Sequence, residues 1–255
     1  MTKENYIKAT NKRKPYFQGK SYFAICPCCK NPIQIINLFK EDYEERITRC
    51  RKLHARHVPR SVLGVAEYNR ERYDSCELHN PIAFGLMVLR ENQEQNQELR
   101  ELIERNKKEI SYDIKEITGI YFKNQKLIKN VIDPFIDRGN HCYTYIHRFN
   151  IPYVILYTEE SIDIYGQILN IDNEIGKEIY LSIKRNSNFF RINEEEKRIE
   201  KKEGITFFTK IFLMIHGHNI RNGFQTVSMR IFEEGNNREN TILKRTLRVK
   251  SFIYN

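Results

Sequence analysis

Two short motifs in the N-terminal third have the residue types and spacing of zinc ligands. Cys26 and Cys29 are separated by two residues, and Cys76 and His79 repeat this spacing with one cysteine and one histidine. Two intervening residues let the backbone wrap round a metal so that both side chains point at it, and three thiolates with one imidazole form a common tetrahedral zinc shell. Four protein ligands leave no open position. The pattern therefore predicts zinc as a structural cofactor and not as a catalytic one.

The two motifs resemble those of zinc-ribbon and zinc-finger modules, and Asn31 and Pro32 follow the first motif like the turn of a zinc ribbon. The resemblance covers the N-terminal third and implies a metal-stabilised module of a kind that binds nucleic acid or protein. A reduced, buried cysteine cluster without metal is the alternative. Neighbouring residues also offer rival ligands, which are Cys28, Cys50, His54 and His57.

Basic residues are in excess, which points to a polyanionic partner. The chain of 255 residues has 43 Lys and Arg against 33 Asp and Glu, so its formal net charge is +10. Such an excess attracts nucleic acid first and anionic membranes second. In the last alternating run the period of two puts the basic residues on one face, with Arg245 as an exception. The candidate nucleic-acid contacts are Lys12, Arg13, Lys14, Arg49, Arg51, Lys52, Arg56, Arg60, Lys244, Arg248 and Lys250.

Two patterns raise the alternative of a nuclease. Arg49 and His54 match the Arg-x4-His pattern of HEPN-type ribonucleases, in which a helix holds the histidine that acts on the attacking 2′-hydroxyl. The segment is poor in the apolar residues that such a helix buries. The second pattern is a set of carboxylates, because a metal-dependent nuclease needs clustered carboxylates. Those available are Asp133, Asp137, Glu159, Glu160 and Asp163.

A pair of histidines is a separate candidate for binding a ligand. His216 and His218 share a strand face but lack a third partner for a metal.

Other enzyme classes lack their signatures here. The sequence has no phosphate-binding loop, no dinucleotide fingerprint and no G-x-S-x-G nucleophile elbow, which argues against the common ATP-, NAD- and hydrolase-type enzymes. The preferred hypothesis is a non-catalytic, zinc-containing nucleic-acid-binding protein. The alternatives are an interaction protein that docks on and regulates a nucleic-acid-processing enzyme, and a nuclease.

The elements that position these residues follow from apolar spacing. A period near 3.6 predicts helices over 99–118 and 124–136, with Gly119 ending the first and Pro134 kinking or ending the second. From residue 141 to the end, apolar and alternating runs predict an antiparallel sheet, with turns at Asn222-Gly223 and 235–237. In this scheme IPYVILY is a strand, the charged run 194–203 is a solvated loop or helix, and the two helices pack on one face of the sheet.

The predicted fold class is α+β. We expect a basic flexible arm over 1–20, a zinc-binding module over 21–85, and an α+β domain over 86–255 with helices within 88–138 and the sheet over 141–255. The alternative for the arm is a terminus whose aromatic residues dock onto the domain. No apolar run reaches the ~20 residues of a membrane span, and the first residues lack the apolar core of a secretory signal. The sequence therefore predicts a cytoplasmic protein without a membrane partner.

Overall fold

The structure is a computed structural model that describes residues 3–39, 53–221 and 224–254. It divides into two compact units, one ending at Pro81 and the other beginning at Ile82. Helices and antiparallel sheets occur together, and the C-terminal part is rich in antiparallel strands. The predicted α+β class is therefore confirmed. Within the described ranges, no helix combines the length and the apolar character that crossing a membrane requires.

The N-terminal unit is built on an antiparallel meander of four strands, with two short helices beside it. The strand order is β1-β2-β3-β4, so each strand pairs with its neighbours in sequence. Apolar side chains alternate along β3, where Ile33 and Ile35 are buried and Gln34 is half-buried. The elements are α1 (Lys3–Thr10), β1 (Phe17–Gln18), β2 (Ser21–Ile25), β3 (Pro32–Ile36), β4 (His54–His57) and α2 (Arg70–Asp74).

The stretch for which we predicted a flexible arm contains helix α1. Tyr6 is its one buried residue, and its hydroxyl proton is shared between the carbonyl oxygens of Tyr16 at 3.0 Å and Phe23 at 2.9 Å. A tyrosine ring buried with its hydroxyl satisfied ties the helix to the unit. This packing corresponds to the alternative of a terminus with docked aromatic residues.

The first α-helix of the C-terminal unit begins at Gln93, and short strands separate several of the helices that follow it. The predicted helix over 99–118 is a pair of helices with a break at Asn106, and Gly119 ends the second in the left-handed conformation at φ 67°. The predicted second helix runs from Asn124 to Asp137 and contains a π-helical segment, Ile128–Ile132, just before Pro134. The helices are α3 (Gln93–Arg105), α4 (Lys107–Thr118), α5 (Asn124–Leu127), α6 (Asp133–Asp137), α7 (Ile151–Thr158) and α8 (Glu174–Asn186).

Two antiparallel sheets complete this unit, with strand orders β5-β7-β9-β8 and β12-β11-β10-β6. In the second sheet, Val227, Met229 and Ile231 are fully buried on one face. Helix α7 packs against β10, and α8 packs against β12. The strands are β5 (Ile120–Tyr121), β6 (Ile162–Asp163), β7 (Ile168–Leu169), β8 (Phe190–Asn193), β9 (Arg198–Lys201), β10 (Thr209–Arg221), β11 (Phe224–Gly235) and β12 (Arg238–Arg248).

Three details of the predicted sheet region are wrong. The run IPYVILY is helix α7 and not a strand, because Pro152 stands in its first turn and burial on all sides removes the periodicity that marks a helix. The region also contains α8. The charged run 194–203 is mostly the turn and second strand of the β8–β9 hairpin. The predicted turn at Asn222-Gly223 lies outside the described residues, although Arg221 and Phe224 on either side of it are paired.

Candidate metal centre

The first cysteine motif forms the tight turn between β2 and β3. The turn is closed by hydrogen bonds from the Lys30 N–H to the Cys26 carbonyl at 3.1 Å and from the Cys26 N–H to the Asn31 carbonyl at 2.8 Å. Lys30 adopts a left-handed conformation with φ 60°. In this turn the Cys26 and Cys29 thiols come together in the buried interior of the unit.

The second motif follows helix α2 and is joined to the first by one buried side chain. The Asn31 amide is fully buried, accepts a hydrogen bond from the Asn69 N–H at 2.7 Å and donates one to the Asn69 carbonyl at 3.1 Å. Asn69 is the N-cap of α2, where its side chain accepts a hydrogen bond from the Arg72 N–H. Asn31 therefore fixes the start of α2, and Cys76 follows the end of that helix.

Four ligand atoms meet in this unit. The thiol sulfurs of Cys26, Cys29 and Cys76 and one ring nitrogen of His57 all lie within 4.8 Å of one another. The Cys26 and Cys76 sulfurs are 3.9 Å apart, and His57 Nε2 is 3.4 Å from the Cys29 sulfur and 3.5 Å from the Cys76 sulfur. Zn–S bonds of ~2.3 Å and Zn–N bonds of ~2.0 Å in a tetrahedron require S···S edges of about 3.8 Å and S···N edges of about 3.5 Å. The group therefore has the dimensions of a closed tetrahedral site.

Electrostatics in the cluster also suit a cation. The hydrogen bond with Cys76 lowers the pKa of the Cys26 thiol, and the same contact raises the pKa of Cys76. Burial lowers the pKa of His57, which keeps the imidazole in the neutral form that binds metals. Three thiolates at these distances repel one another, so full deprotonation requires a positive charge at their centre. A divalent cation supplies that charge.

The histidine of this group is His57, which ends strand β4, whereas the spacing motif had selected His79. The His79 ring lies beside the group, with its centroid 5.1 Å from that of His57 and 4.0 Å from that of Tyr73. The pairing of His57 with Ile33 brings β4 over the first motif. A pairing between strands more than twenty residues apart leaves no signal in the local spacing, although His57 was among the rival ligands.

None of the other rival ligands that the structure describes is a member of the group. The Cys28 thiol is half-buried at the edge of the group, where a hydrogen bond with the Cys76 thiol raises its pKa, and its sulfur lies 4.0 Å from Glu77 Oε2. His54 begins β4, so it occupies a strand and not the helix that the HEPN comparison requires. Cys50 and Arg49 lie outside the described residues.

A groove opens beside the candidate metal group, and His57 belongs to both its lining and that group. Alternation along β4 directs Arg56 to the face of its partner Gln34, and the Arg56 Nη2 donates a hydrogen bond to Gln34 Oε1 at 3.1 Å. The groove has a volume of about 450 Å³, and its rim includes Arg60 and the Ser21 hydroxyl. Arg56 and Arg60 are exposed, so two predicted nucleic-acid contacts line one concave surface.

The remaining basic candidates are distributed over both units. Lys12, Arg13 and Lys14 are exposed in the turn after α1, and Lys12 Nζ lies 4.8 Å from the centroid of the Phe39 ring. Lys244 and Arg248 are exposed on β12, and Lys250 is exposed just beyond it. Arg49, Arg51 and Lys52 lie outside the described residues.

Arg245 departs from the basic stripe of β12, as its position in the sequence predicts. It pairs with the buried Met229, and its guanidinium forms ion pairs with Glu174 and Glu178 on helix α8. These two carboxylates explain why a cation stands on the covered face of the sheet. Arg245 therefore serves packing between α8 and β12, and it is not available to a ligand.

Two of the carboxylates proposed for a metal-dependent nuclease form ion pairs with basic side chains. Asp133 forms an ion pair with Lys107 at 2.7 Å, and Glu159 forms one with Arg138 at 3.2 Å. Among the described residues, the thiol and imidazole group is the one cluster of three or more ligand side chains close enough to hold a metal. His216 and His218 are separated by a bulge, and His218 Nε2 lies 3.0 Å from Gln225 Oε1.

No protein family, no curated protein and no solved structure matches the chain.

Proposed function

We propose that the protein is a non-catalytic, zinc-containing nucleic-acid-binding protein whose metal centre holds a basic groove ready for phosphates. The observation that carries the proposal is the position of His57. It lies between Arg56 and Arg60 in the sequence, and its ring nitrogen lies within 4.8 Å of the three cysteine sulfurs. A metal bound there fixes the strand that carries Arg56 and the start of the bend that carries Arg60. Arginine on a rigid strand suits phosphate, because its planar guanidinium donates paired hydrogen bonds.

The donor set favours zinc over other metals. Three thiolates and one imidazole in a tetrahedron match Zn²⁺, whereas Mg²⁺ and Ca²⁺ prefer oxygen ligands. Four protein ligands leave no position for a substrate or an activated water, so the metal is structural in this proposal. The five described cysteines are all free thiols, which suits the reducing cytoplasm that we propose as the location.

Binding measured against salt concentration tests the function. We expect the zinc-loaded protein to bind a short fluorescent oligonucleotide at low salt and to release it steeply as salt rises, as counterion release requires. The double variant Arg56→Gln/Arg60→Gln should lower the slope of log K against log salt by about 1.4 to 1.8, because each lost phosphate contact removes ~0.7 to ~0.9.

The matched control removes the same charge elsewhere in the unit. Lys8 and Arg72 are both exposed and lie outside the groove, so Lys8→Gln/Arg72→Gln should change the slope little. Chelation of the metal should weaken binding as much as the groove variant does. Equal slopes for the groove variant and the control would remove the groove from the function, and absence of binding at low salt would overturn the proposal.

An exposed apolar segment supports the second candidate, an interaction protein that docks on a nucleic-acid-processing enzyme. Four consecutive residues expose half or more of their area, or nearly so: Leu86 50%, Met87 69%, Val88 49% and Leu89 61%. Runs of this kind on a protein surface mark interaction sites. Under this hypothesis Met87→Glu/Leu89→Glu abolishes co-purification of a protein partner that survives nuclease treatment. A partner that nuclease treatment removes supports the first proposal instead.

A further inference from the structure

On the outer face of the sheet β12-β11-β10, four cations are gathered at one end. Directly paired residues of antiparallel strands project to the same side. Arg221 pairs with Phe224, Arg248 with Thr226, and Lys244 with Arg230. Since Phe224, Thr226 and Arg230 alternate along β11, all these side chains stand on one face. We call Arg221, Arg230, Lys244 and Arg248 the cationic patch.

The acidic residues of this face lie at its other end. Glu234 pairs with Glu239 and with Lys210, and Asp163 pairs with Phe212. Arg230 forms an ion pair with Glu239 at the boundary between the two halves. In the described parts of the chain, Arg221, Lys244 and Arg248 have no carboxylate within ion-pair distance. Three cations of the patch are therefore available to an anionic ligand.

One member of the patch is also a stacking surface. The Arg248 guanidinium lies over the Phe224 ring, 4.4 Å from its centroid. A guanidinium held on an aromatic ring keeps its outer side open, and unpaired bases stack on such planes. The hydroxyls of Ser228 and Thr246 lie opposite each other beside it. The patch therefore combines cations, donors for phosphate oxygens and a surface for a base.

We propose that this face binds single-stranded nucleic acid, with Lys244 and Arg248 on separate phosphates and one base stacked on Arg248. The proposal rests on the nucleic-acid function proposed above and adds a second surface and a preferred form of the ligand. Lys244 and Arg248 are four residues apart on one strand, so they stand about 13 Å apart. A strand with a rise of ~3.4 Å per phosphate places several phosphates along that distance, so the two cations suit separate phosphates. A duplex keeps its bases stacked on one another and leaves the guanidinium uncovered.

The test compares single strands with a duplex of equal length, on the zinc-loaded full chain. The probes are fluorescent oligo(dT), oligo(rU) and a mixed-sequence duplex, and anisotropy gives the affinities. We expect single strands to bind about tenfold more tightly than the duplex at low salt. Lys244→Gln/Arg248→Gln should weaken single-strand binding about tenfold or more and reduce its salt slope by about 1.4. Equal loss for oligo(dT) and oligo(rU) is expected, because stacking and phosphate contacts do not read the sugar.

Two further variants serve as controls. One tests stacking at constant charge, and the other tests loss of the same charge away from the patch. Arg248→Lys keeps the charge and removes the plane, so we expect it to weaken single-strand binding and to leave duplex binding unchanged. Arg105→Gln/Lys108→Gln removes two exposed cations from the helices of the same unit and should behave like wild type. Unchanged affinity in Arg248→Lys, with duplex bound as tightly as single strands, would overturn the single-strand assignment.

The groove variants distinguish this proposal from the preceding one. If Arg56→Gln/Arg60→Gln abolishes binding while Lys244→Gln/Arg248→Gln matches its control, the sheet face is not a binding surface and the groove is. If Lys244→Gln/Arg248→Gln abolishes binding while Arg56→Gln/Arg60→Gln matches its control, the sheet face is the binding surface and the groove is not. If wild type binds no oligonucleotide at low salt, both proposals are wrong.

Discussion

The Nε2 atom of His57 lies 3.4 Å from the Cys29 sulfur, although 28 residues separate the two along the chain. Strand β4 carries His57 to this position, and the rigidity of that strand depends on whether a metal joins the two atoms. This short distance makes His57, and not His79, the histidine of the group. His57 also connects the group to the groove that Arg56 and Arg60 line.

We expect His57→Ala to lose most of the zinc affinity and His79→Ala to keep it. A tetrahedral site of this kind binds zinc with ~10 to ~16 kcal/mol, so one ligand of four is worth at least ~2.5 kcal/mol, or about 60-fold in affinity. His79 packs on Tyr73 without entering the group, so its removal costs packing alone. Competition with a chromophoric chelator measures both affinities.

Cys28→Ser provides the matched control among the thiols. The Cys28 sulfur contacts Cys76 but does not belong to the group of four, so one zinc per chain should remain, whereas Cys76→Ser should lose it. If His79→Ala loses zinc and His57→Ala keeps it, the spacing motif identified the ligand and the group built on His57 is wrong.

The sequence predicts the features that depend on local patterns, and it does not predict those that depend on burial or long-range pairing. The antiparallel C-terminal strands follow from alternation, and the end of α4 at Gly119 follows from the left-handed preference of glycine. Helix α7 was missed because Ile151 to Leu156 are all buried, so polar residues do not mark a period. Three of the four group members follow from the two motifs. The fourth depends on the pairing of His57 with Ile33, which spacing does not encode.

Metal removal should unfold the N-terminal unit and leave the C-terminal unit folded. Within the described residues, the N-terminal unit has two small buried clusters, and the larger one includes Cys26, Cys29 and Cys76. A core of that size depends on a metal for its stability. The C-terminal unit has its own large core, in which Ile114, Ile132 and Phe135 are fully buried.

Hydrogen exchange after chelation checks this prediction. Amides of β2 and β3 should exchange freely, whereas those of α4 and β11 should keep their protection. Readdition of zinc should restore protection in β2 and β3. Persistent protection of β3 without metal would mean that the cysteines form an ordinary buried thiol cluster, and loss of protection in both units would mean that they fold as one.

Gly119→Ala should destabilise the C-terminal unit much more than Gly139→Ala does. Both glycines have φ near 70°, so each substitution incurs a left-handed strain of about 1 to 2 kcal/mol. A Cβ atom at Gly119 would also lie 2.2 Å from the Gly176 nitrogen, whereas one at Gly139 meets nothing within 4 Å. Overlap with backbone adds a further ~1 to ~3 kcal/mol. Chemical denaturation gives both values, and equal losses would show that α4 and α8 separate at no cost.

Acid should weaken the C-terminal unit through His147. Burial lowers the pKa of His147 to about 3, and its Nδ1 accepts a hydrogen bond from the Phe149 N–H at 3.3 Å. In the unfolded chain the pKa is ~6.5, so the unfolded state takes up a proton first as pH falls. The neutral ring therefore contributes its full stability above pH ~6.5 and loses about 1.4 kcal/mol for each pH unit from there down to about 3.

Hydrogen exchange of the α7 amides between about pH 7 and pH 5.5, corrected for the intrinsic exchange rate, follows this unit alone. His147→Asn retains an acceptor near Nδ1 and does not titrate, so it should flatten the decline. Burial also lowers the pKa of His141 and His218, which leaves a residual dependence of the same sign. A decline in His147→Asn as steep as in wild type would show that the protonation of His147 does not limit the acid stability of the unit.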